Sequence, residues 1–408
     1  MILINKEKYM QLKEIILYLF GISFFINFDI AKIILQVMAV FLLVDIFYFK
    51  EKLECGSERV KKFIFFLIVG GIIWNFCADF NYKAARAYFK INRYFIIVFY
   101  LYSLVKYRKN ILKKFILSLI LSYLVLFIQG IKFYLEHRHL SYYRFDTFEG
   151  VMDIAILVSV VGAFSFGQMI ERKSIKIQSI SFGIFMINCF LLIITQTRAA
   201  LLSLIGAIII MIIASKNIKI ILTSLVVGLI ALGCFFQTPQ AKRFKTNTFN
   251  IKVTTENMSN GLRIEMWKNA IWRFKQHPIM GSGTKQDYEL FAEYVENMPE
   301  ETKTQKIYKK TFKNGFDDAH NLYLNLLTDS GIFSFVQFSF ILCILPYILL
   351  KNKKYEYKIS LLGGITGYCI FGVMWPLWRH GWNPMFLWLI ISLILVGYCE
   401  KERINGNK

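Results

Sequence analysis

The chain has 408 residues, 56% of them hydrophobic and 17% aromatic, and carries a formal net charge of +22. Its mean hydropathy is +0.47, and soluble domains are only about 45–50% apolar, so the expected class is an all-α, polytopic integral membrane protein. The positive charge does not point to nucleic acid: the basic residues stand in short clusters between apolar runs, which is how a membrane protein sets its orientation.

Residues 1–13 are polar and basic, and no small-residue cleavage site follows the first apolar run, so no cleavable signal is expected. A membrane-crossing helix needs about 20 apolar residues. Runs of that order lie near 14–28, 33–49, 63–78, 91–105, 115–131, 151–169, 177–196, 199–215, 220–236, 331–350, 359–377 and 384–399. The reading is therefore about 12 transmembrane helices: spans 1–9 within 1–236, a long polar loop over 237–319, and spans 10–12 within 320–408. Lysine-rich ends near 50–62, 106–114, 172–176 and 351–358 alternate with ends poor in basic residues. By the positive-inside rule both termini face the cytoplasm and the loop faces out. The spans hold almost no mid-bilayer charge, which sends any chemistry to the outer face. Seven cysteines are scattered without CxxC or ligand spacing, so neither a disulfide framework nor a zinc site is expected.

Within the loop, residues 261–274 have helical period, with Ile264, Trp267, Ile271 and Phe274 on one face. Pro278 and the Gly281-Ser282-Gly283 turn end that helix. A second, acidic and aromatic helix is expected over 286–298, and a mobile Lys- and Thr-rich connection over 299–316. Asp317 or Asp318 then serves as N-cap for a helix running to about Asp329, with Gly331 as its stop. This puts His320 in the first turn, where the helix dipole disfavours an imidazolium. The two aspartates act in the opposite sense, and the sign of the sum stays open.

His320 is the candidate general base; a capping or interfacial histidine without chemistry is the plain alternative. Arg198 lies in Thr195-Gln196-Thr197-Arg198-Ala199, a tight turn between spans. It reads either as a snorkelling side chain or as a bidentate phosphate ligand. Arg263, in the first turn of the loop helix, opposes the dipole and calls weakly for a partner; otherwise it is a solvated charge. Arg86, Arg144 and Arg379 share the outer face as further anion contacts, although Arg379, among Trp375, Trp378 and Trp382, equally suits an aromatic belt. His137 and His139, two apart, do not share a helix face and lack a third ligand, so no metal is expected. Arginines at the outer interface beside one candidate base suit an anionic, lipid-borne substrate.

At these residues the chain resembles the O-antigen ligase superfamily, which includes the O-antigen polymerases. His320-Asn321, nine residues and then Gly331 are similar to the family's His-(Asn/Ser/Gln)-nine-Gly pattern. Ser334 stands where Gly, Thr or Tyr is usual, a departure that bears on helix packing. Thr195 to Ala199 and Gly261-Leu262-Arg263 resemble the ligases' two arginine elements. The resemblance implies an inverting, metal-independent glycosyltransferase on the periplasmic face of the bacterial inner membrane, with no cofactor. Its donor would be an undecaprenyl-diphosphate-linked glycan and its acceptor a sugar hydroxyl of lipid A–core. Arg198 and Arg263 would bind the diphosphate; His320 would act on the acceptor hydroxyl, with Asn321 a further candidate contact. An O-antigen polymerase differs only in its acceptor. A lipid-linked glycan transporter or flippase, a different class, calls for broken helices and mid-bilayer polar groups in matched halves.

Overall fold

The computed structural model describes residues 5–55, 58–78, 80–140, 144–146, 150–171, 174–216, 258–316, 318–351, 355–379 and 381–406, excluding the side chains of 258, 259 and 398–406. Among them every regular element is helical. In chain order these are α1 (Lys6–Ser23), α2 (Phe28–Phe47), α3 (Glu58–Cys77), α4 (Tyr82–Asn92), α5 (Ile96–Val105), α6 (Ile111–His137), α7 (Val151–Glu171), α8 (Ile175–Thr195) and α9 (Arg198–Ser215). Then come α10 (Met258–Gln276), α11 (Tyr288–Asn297), α12 (Lys303–Phe312) and α13 (Leu322–Ser330). A 3-10 turn, Gly331–Phe333, leads into α14 (334–351), followed by α15 (Lys358–Gly372) and α16 (Asn383–Gly406).

Among the described residues seven helical stretches are long and apolar enough to cross a membrane: α2, α3, α6, α7, α8, α9, and α13 running on into α14 (Leu322–Lys351). The chain is a multi-pass membrane protein. The remaining spans expected from sequence fare differently. Residues 359–377 and 384–399 appear as the shorter apolar helices Lys358–Gly372 and Asn383–Gly397. The run at 91–105 is interrupted by a 3-10 turn at Arg93–Phe95. Residues 220–236 lie outside the described residues.

Asparagine side chains cap four of these helices. Asn5, Asn27, Asn81 and Asn321 each accept hydrogen bonds from two N–H groups of the following first turn, which satisfies donors that a helix cannot pair internally. The bundle is built around α7, whose span-length window is 72% buried against 28% for α2, α3 and α8. Small residues bring the backbones together there: a Cβ on Gly167 would collide with the Ser360 backbone. Hydroxyls then link three helices, with Ser159 and Ser203 at 2.7 Å and Ser203 donating to Gly367 O at 2.6 Å. At one end of the bundle Lys6 pairs with Glu51, Lys106 with Glu54, and Arg108 with Glu7 and Glu14.

At the other end α10, α11 and α12 enclose a small core of Met266, Phe291, Val295, Met298 and Tyr308. Two expectations fail here. Residues 299–316 are not a bare connection: Thr302 and Gln305 form a capping box that starts α12, and α12 buries Tyr308 completely. On α10 the buried stripe is not the expected apolar face. Glu265, Asn269 and Arg273, one turn apart, are buried at 6%, 0% and 0% exposure, while Ile271 is 45% exposed. The reason is a buried network of charges.

Candidate active site

Arg273 lies against Asp287 and donates its Nε–H to Asn269 Oδ1 at 2.9 Å. Arg379 donates Nε–H to Asp329 Oδ2 at 2.9 Å, bonds Asp329 Oδ1 through Nη2, and reaches Asp287 at 3.5 Å. Burial pushes the Arg273 guanidinium down, and Asp287 opposes that shift. Two arginines and two aspartates thus neutralise one another out of solvent, the condition under which buried charge is tolerated. Arg379 was expected as an anion contact on the outer face. It is instead 3% exposed and committed to two carboxylates, so it belongs to the framework.

That framework fixes where α13 begins and ends. Backbone bonds run from Ser282 to Thr328 O (2.8 Å), from Gly283 to Asp329 O (2.9 Å) and from Ile332 to Ile279 O (2.9 Å). Asn75 of α3 accepts from both the N–H and the hydroxyl of Thr284 at 2.8 Å. Gly331 closes α13 with φ +52° and ψ −130°, where a Cβ would overlap the carbonyl of Ile279; that backbone region is essentially glycine's alone. Ser334 is buried and donates to Gly331 O at 2.7 Å, a small side chain in a tight place.

The nine residues between Asn321 and Gly331 are therefore one helix, capped by Asn321 and closed by Gly331. Asn321 Oδ1 accepts from Tyr323 N–H (2.9 Å) and Leu324 N–H (3.0 Å), and its Nδ2 donates to Val373 O (2.9 Å). Both ends of this amide are in use, so the expected substrate contact at Asn321 is a structural cap. The expected cap at Asp317 or Asp318 is likewise corrected: Asp317 lies outside the described residues, and Asp318 precedes the helix by four positions. His320 is not in the first turn either. It stands just before the cap with φ +49°, in the left-handed region, held by its own N–H donating to Asp318 Oδ1 at 2.6 Å. Its ring sits edge-on between Phe316 (5.8 Å) and Trp375 (5.0 Å). The side chain is 24% exposed, and Nδ1 is 3.6 Å from Asp318 Oδ2.

The structure gathers Arg144, Arg198 and Arg263. Arg144 is anchored to the turn before α9 through Thr195 O (3.2 Å) and Thr197 Oγ1 (3.1 Å). That turn is reversed by Gln196 at φ +49° and leaves Arg198 as the first residue of α9, where it donates to Asn260 Oδ1 at 3.3 Å. Arg263 of α10 is half-buried and has no hydrogen bond or ion pair among the described residues. Its guanidinium is pushed below the usual arginine value by burial first, then by the charges of Arg198 and Arg144. Like charges held this close are relieved by an anion. Arg263 sits early in α10, and α10 packs along α13, the helix that follows His320. Arg86 is exposed on α4, with no hydrogen bond or ion pair among the described residues, and is not drawn into the cluster. His137 donates Nδ1–H to Phe133 O at 2.9 Å and stacks on that ring.

Sequence reasoning overlooked Arg273, Asp287 and Asp329; the available signal was the polar i, i+4, i+8 row 265, 269 and 273 on α10.

Residues 183–339 match the model of the O-antigen ligase family. The chain is also 27% identical over 143 residues to an uncharacterized protein of Haemophilus influenzae, a match covering 33% of this chain and 34% of that protein. The alignment thus spans about a third of the curated relative. The family match takes in the α9 turn, the start of α10, His320 and α13 up to Gly331 and Ser334, so the segment that carries the arginine elements and His320 is similar to the O-antigen ligase family.

Proposed function

We propose that the protein is an O-antigen ligase. It transfers a glycan from an undecaprenyl-diphosphate carrier to a sugar hydroxyl of lipid A–core, at the periplasmic face of the inner membrane. The observation that carries the reading is the trio Arg144, Arg198 and Arg263, in which Arg263 is depressed by burial first and then by the charges of the other two, and which suits an anion with several oxygens. In the reaction the acceptor O–H gives its proton to His320 and its oxygen bonds to the anomeric carbon. The bond from that carbon to the diphosphate oxygen breaks on the opposite face, inverting the configuration. The diphosphate leaves with the electron pair, and the guanidiniums stabilise its charge. Because the leaving group is already a good one, positioning and charge neutralisation are the principal tasks, and arginines perform them without a metal.

The test is in vitro transfer by the purified protein from a defined lipid-diphosphate glycan, offered lipid A–core and a second lipid-linked repeat in parallel, with and without EDTA. Product on lipid A–core, undiminished by EDTA, is the expected result. Product on the lipid-linked repeat alone identifies a polymerase, which shares the donor chemistry, and rejects the ligase reading. Translocation of the donor without transfer rejects both in favour of a transporter.

A further inference from the structure

We propose that Asp318 is the positioning residue of His320, a carboxylate that holds the imidazole in one tautomer and faces the positive charge the ring acquires. The proposal rests on the glycosyl-transfer reading above and adds a partner for its base. Asp318 is 1% exposed. Its carboxylate is fixed by two donors on Oδ1, the His320 N–H at 2.6 Å and Asn325 Nδ2 at 2.9 Å. Asn325 in turn accepts from the Ala319 N–H at 2.8 Å, so the short segment before α13 is tied to its second turn. With Oδ1 occupied, Oδ2 faces His320 Nδ1 at 3.6 Å.

Nδ1 is buried and has no hydrogen-bond partner among the described residues, although the side chain as a whole is 24% exposed. The reachable edge of the ring is therefore not Nδ1. The left-handed backbone of His320 and the flanking rings of Phe316 and Trp375 hold that orientation, and neither ring brings a charge. Among the described residues, Asp318 is the carboxylate within 4.0 Å of the imidazole. A carboxylate beside Nδ1 favours the Nδ1–H tautomer and leaves the lone pair on Nε2, the nitrogen that must take the acceptor proton. At 3.6 Å the contact is longer than a hydrogen bond, and such contacts tighten when substrate arrives.

The test uses the full-length protein in nanodiscs and the variant Asp318→Asn, which keeps an acceptor at Oδ1 and replaces only Oδ2. Turnover is expected to fall about 10- to 100-fold, as for other groups that orient a working histidine, with KM for the lipid-diphosphate donor unchanged. Nitrogen-15 NMR of histidine-labelled wild-type protein, with the His320 signal assigned by its loss in His320→Gln, should show the Nδ1–H tautomer when neutral. An Nε2–H tautomer in the wild type overturns the proposal whether or not the variant folds. So does a folded Asp318→Asn with unchanged turnover. If His320→Ala is inactive while Asp318→Asn is fully active, only the pairing falls. If His320→Ala keeps normal turnover, the base assignment falls with it.

Discussion

Gly331 and Ile279 share one small space: the glycine Cα lies so near the Ile279 carbonyl that a Cβ would overlap it, while the next residue, Ile332, donates to that same oxygen at 2.9 Å. Any side chain at 331 must push apart the loop that carries Asp287 and the helix that carries Asp329. Gly331→Ala should therefore cost more than the ~1–3 kcal/mol of an unfavourable backbone conformation alone. Thermal unfolding of the detergent-purified variant should show a clearly lowered midpoint, with transfer lost in parallel. A midpoint equal to wild type would contradict the close approach.

Arg198 and Arg263 carry the donor site in the proposed reaction. A hydrogen bond to a charged group is worth about 1.5–3 kcal/mol, so Arg198→Ala and Arg263→Ala should each lower kcat/KM for the donor by roughly 10- to 150-fold. Lysine at either position should recover only part of this, since it keeps the charge and loses the planar fork. Steady-state kinetics at saturating acceptor decides the point; equal activity of the Lys and Arg proteins would show that bidentate geometry is not used.

The same cluster makes a prediction that needs no turnover. Inorganic pyrophosphate should bind it and raise the unfolding midpoint, since a ligand at about 100 times its Kd stabilises by ~2.7 kcal/mol. The shift should vanish in the Arg198→Ala, Arg263→Ala double variant and persist in Arg86→Ala, whose side chain is exposed on α4. An equal shift in all three proteins would place the anion elsewhere.

Arg379 tests framework against site. Arg379→Ala strands Asp329 in a buried setting and leaves Asp287 to Arg273 alone, and breaking such a pair costs about 3–5 kcal/mol. The variant should unfold at lower temperature or aggregate, whereas Arg379→Met combined with Asp329→Leu should recover part of the loss. An Arg379→Ala protein of wild-type stability that had lost only donor affinity would return Arg379 to the substrate.

How far the sequence reveals this site depends on whether a feature is local. His320, Gly331 and the two arginine elements stand in short spacings, and the helix between Asn321 and Gly331 is one whose length the spacing states directly. The start of that helix was misplaced because two aspartates and an asparagine compete for the cap, and only the packed structure shows Asn321 winning while Asp318 turns back onto His320 and Asn325. The stripe of Glu265, Asn269 and Arg273 went unread because charge pairing with Asp287 is set by the fold and not by periodicity. Tyr308 was hidden for the opposite reason: a lysine-rich helix buries one ring and leaves its charges outside. The 14–28 and 91–105 stretches look like plain spans by hydropathy, yet α1, charged at its start, carries the first only to Ser23, and a 3-10 turn interrupts the second.

The bonds that tie 279–283 to 328–332 have a mechanical consequence. They weld the small helical domain to the helix bearing Asp329 through paired backbone groups, two glycines and four buried charges, so the two cannot part without breaking all of these together. The domain is thus a fixed abutment and not a lid. In the proposed reaction a bulky carrier-borne chain would enter past the surfaces that lack such stitching, with the give coming from the flanking helices instead of from the unit that holds Arg263.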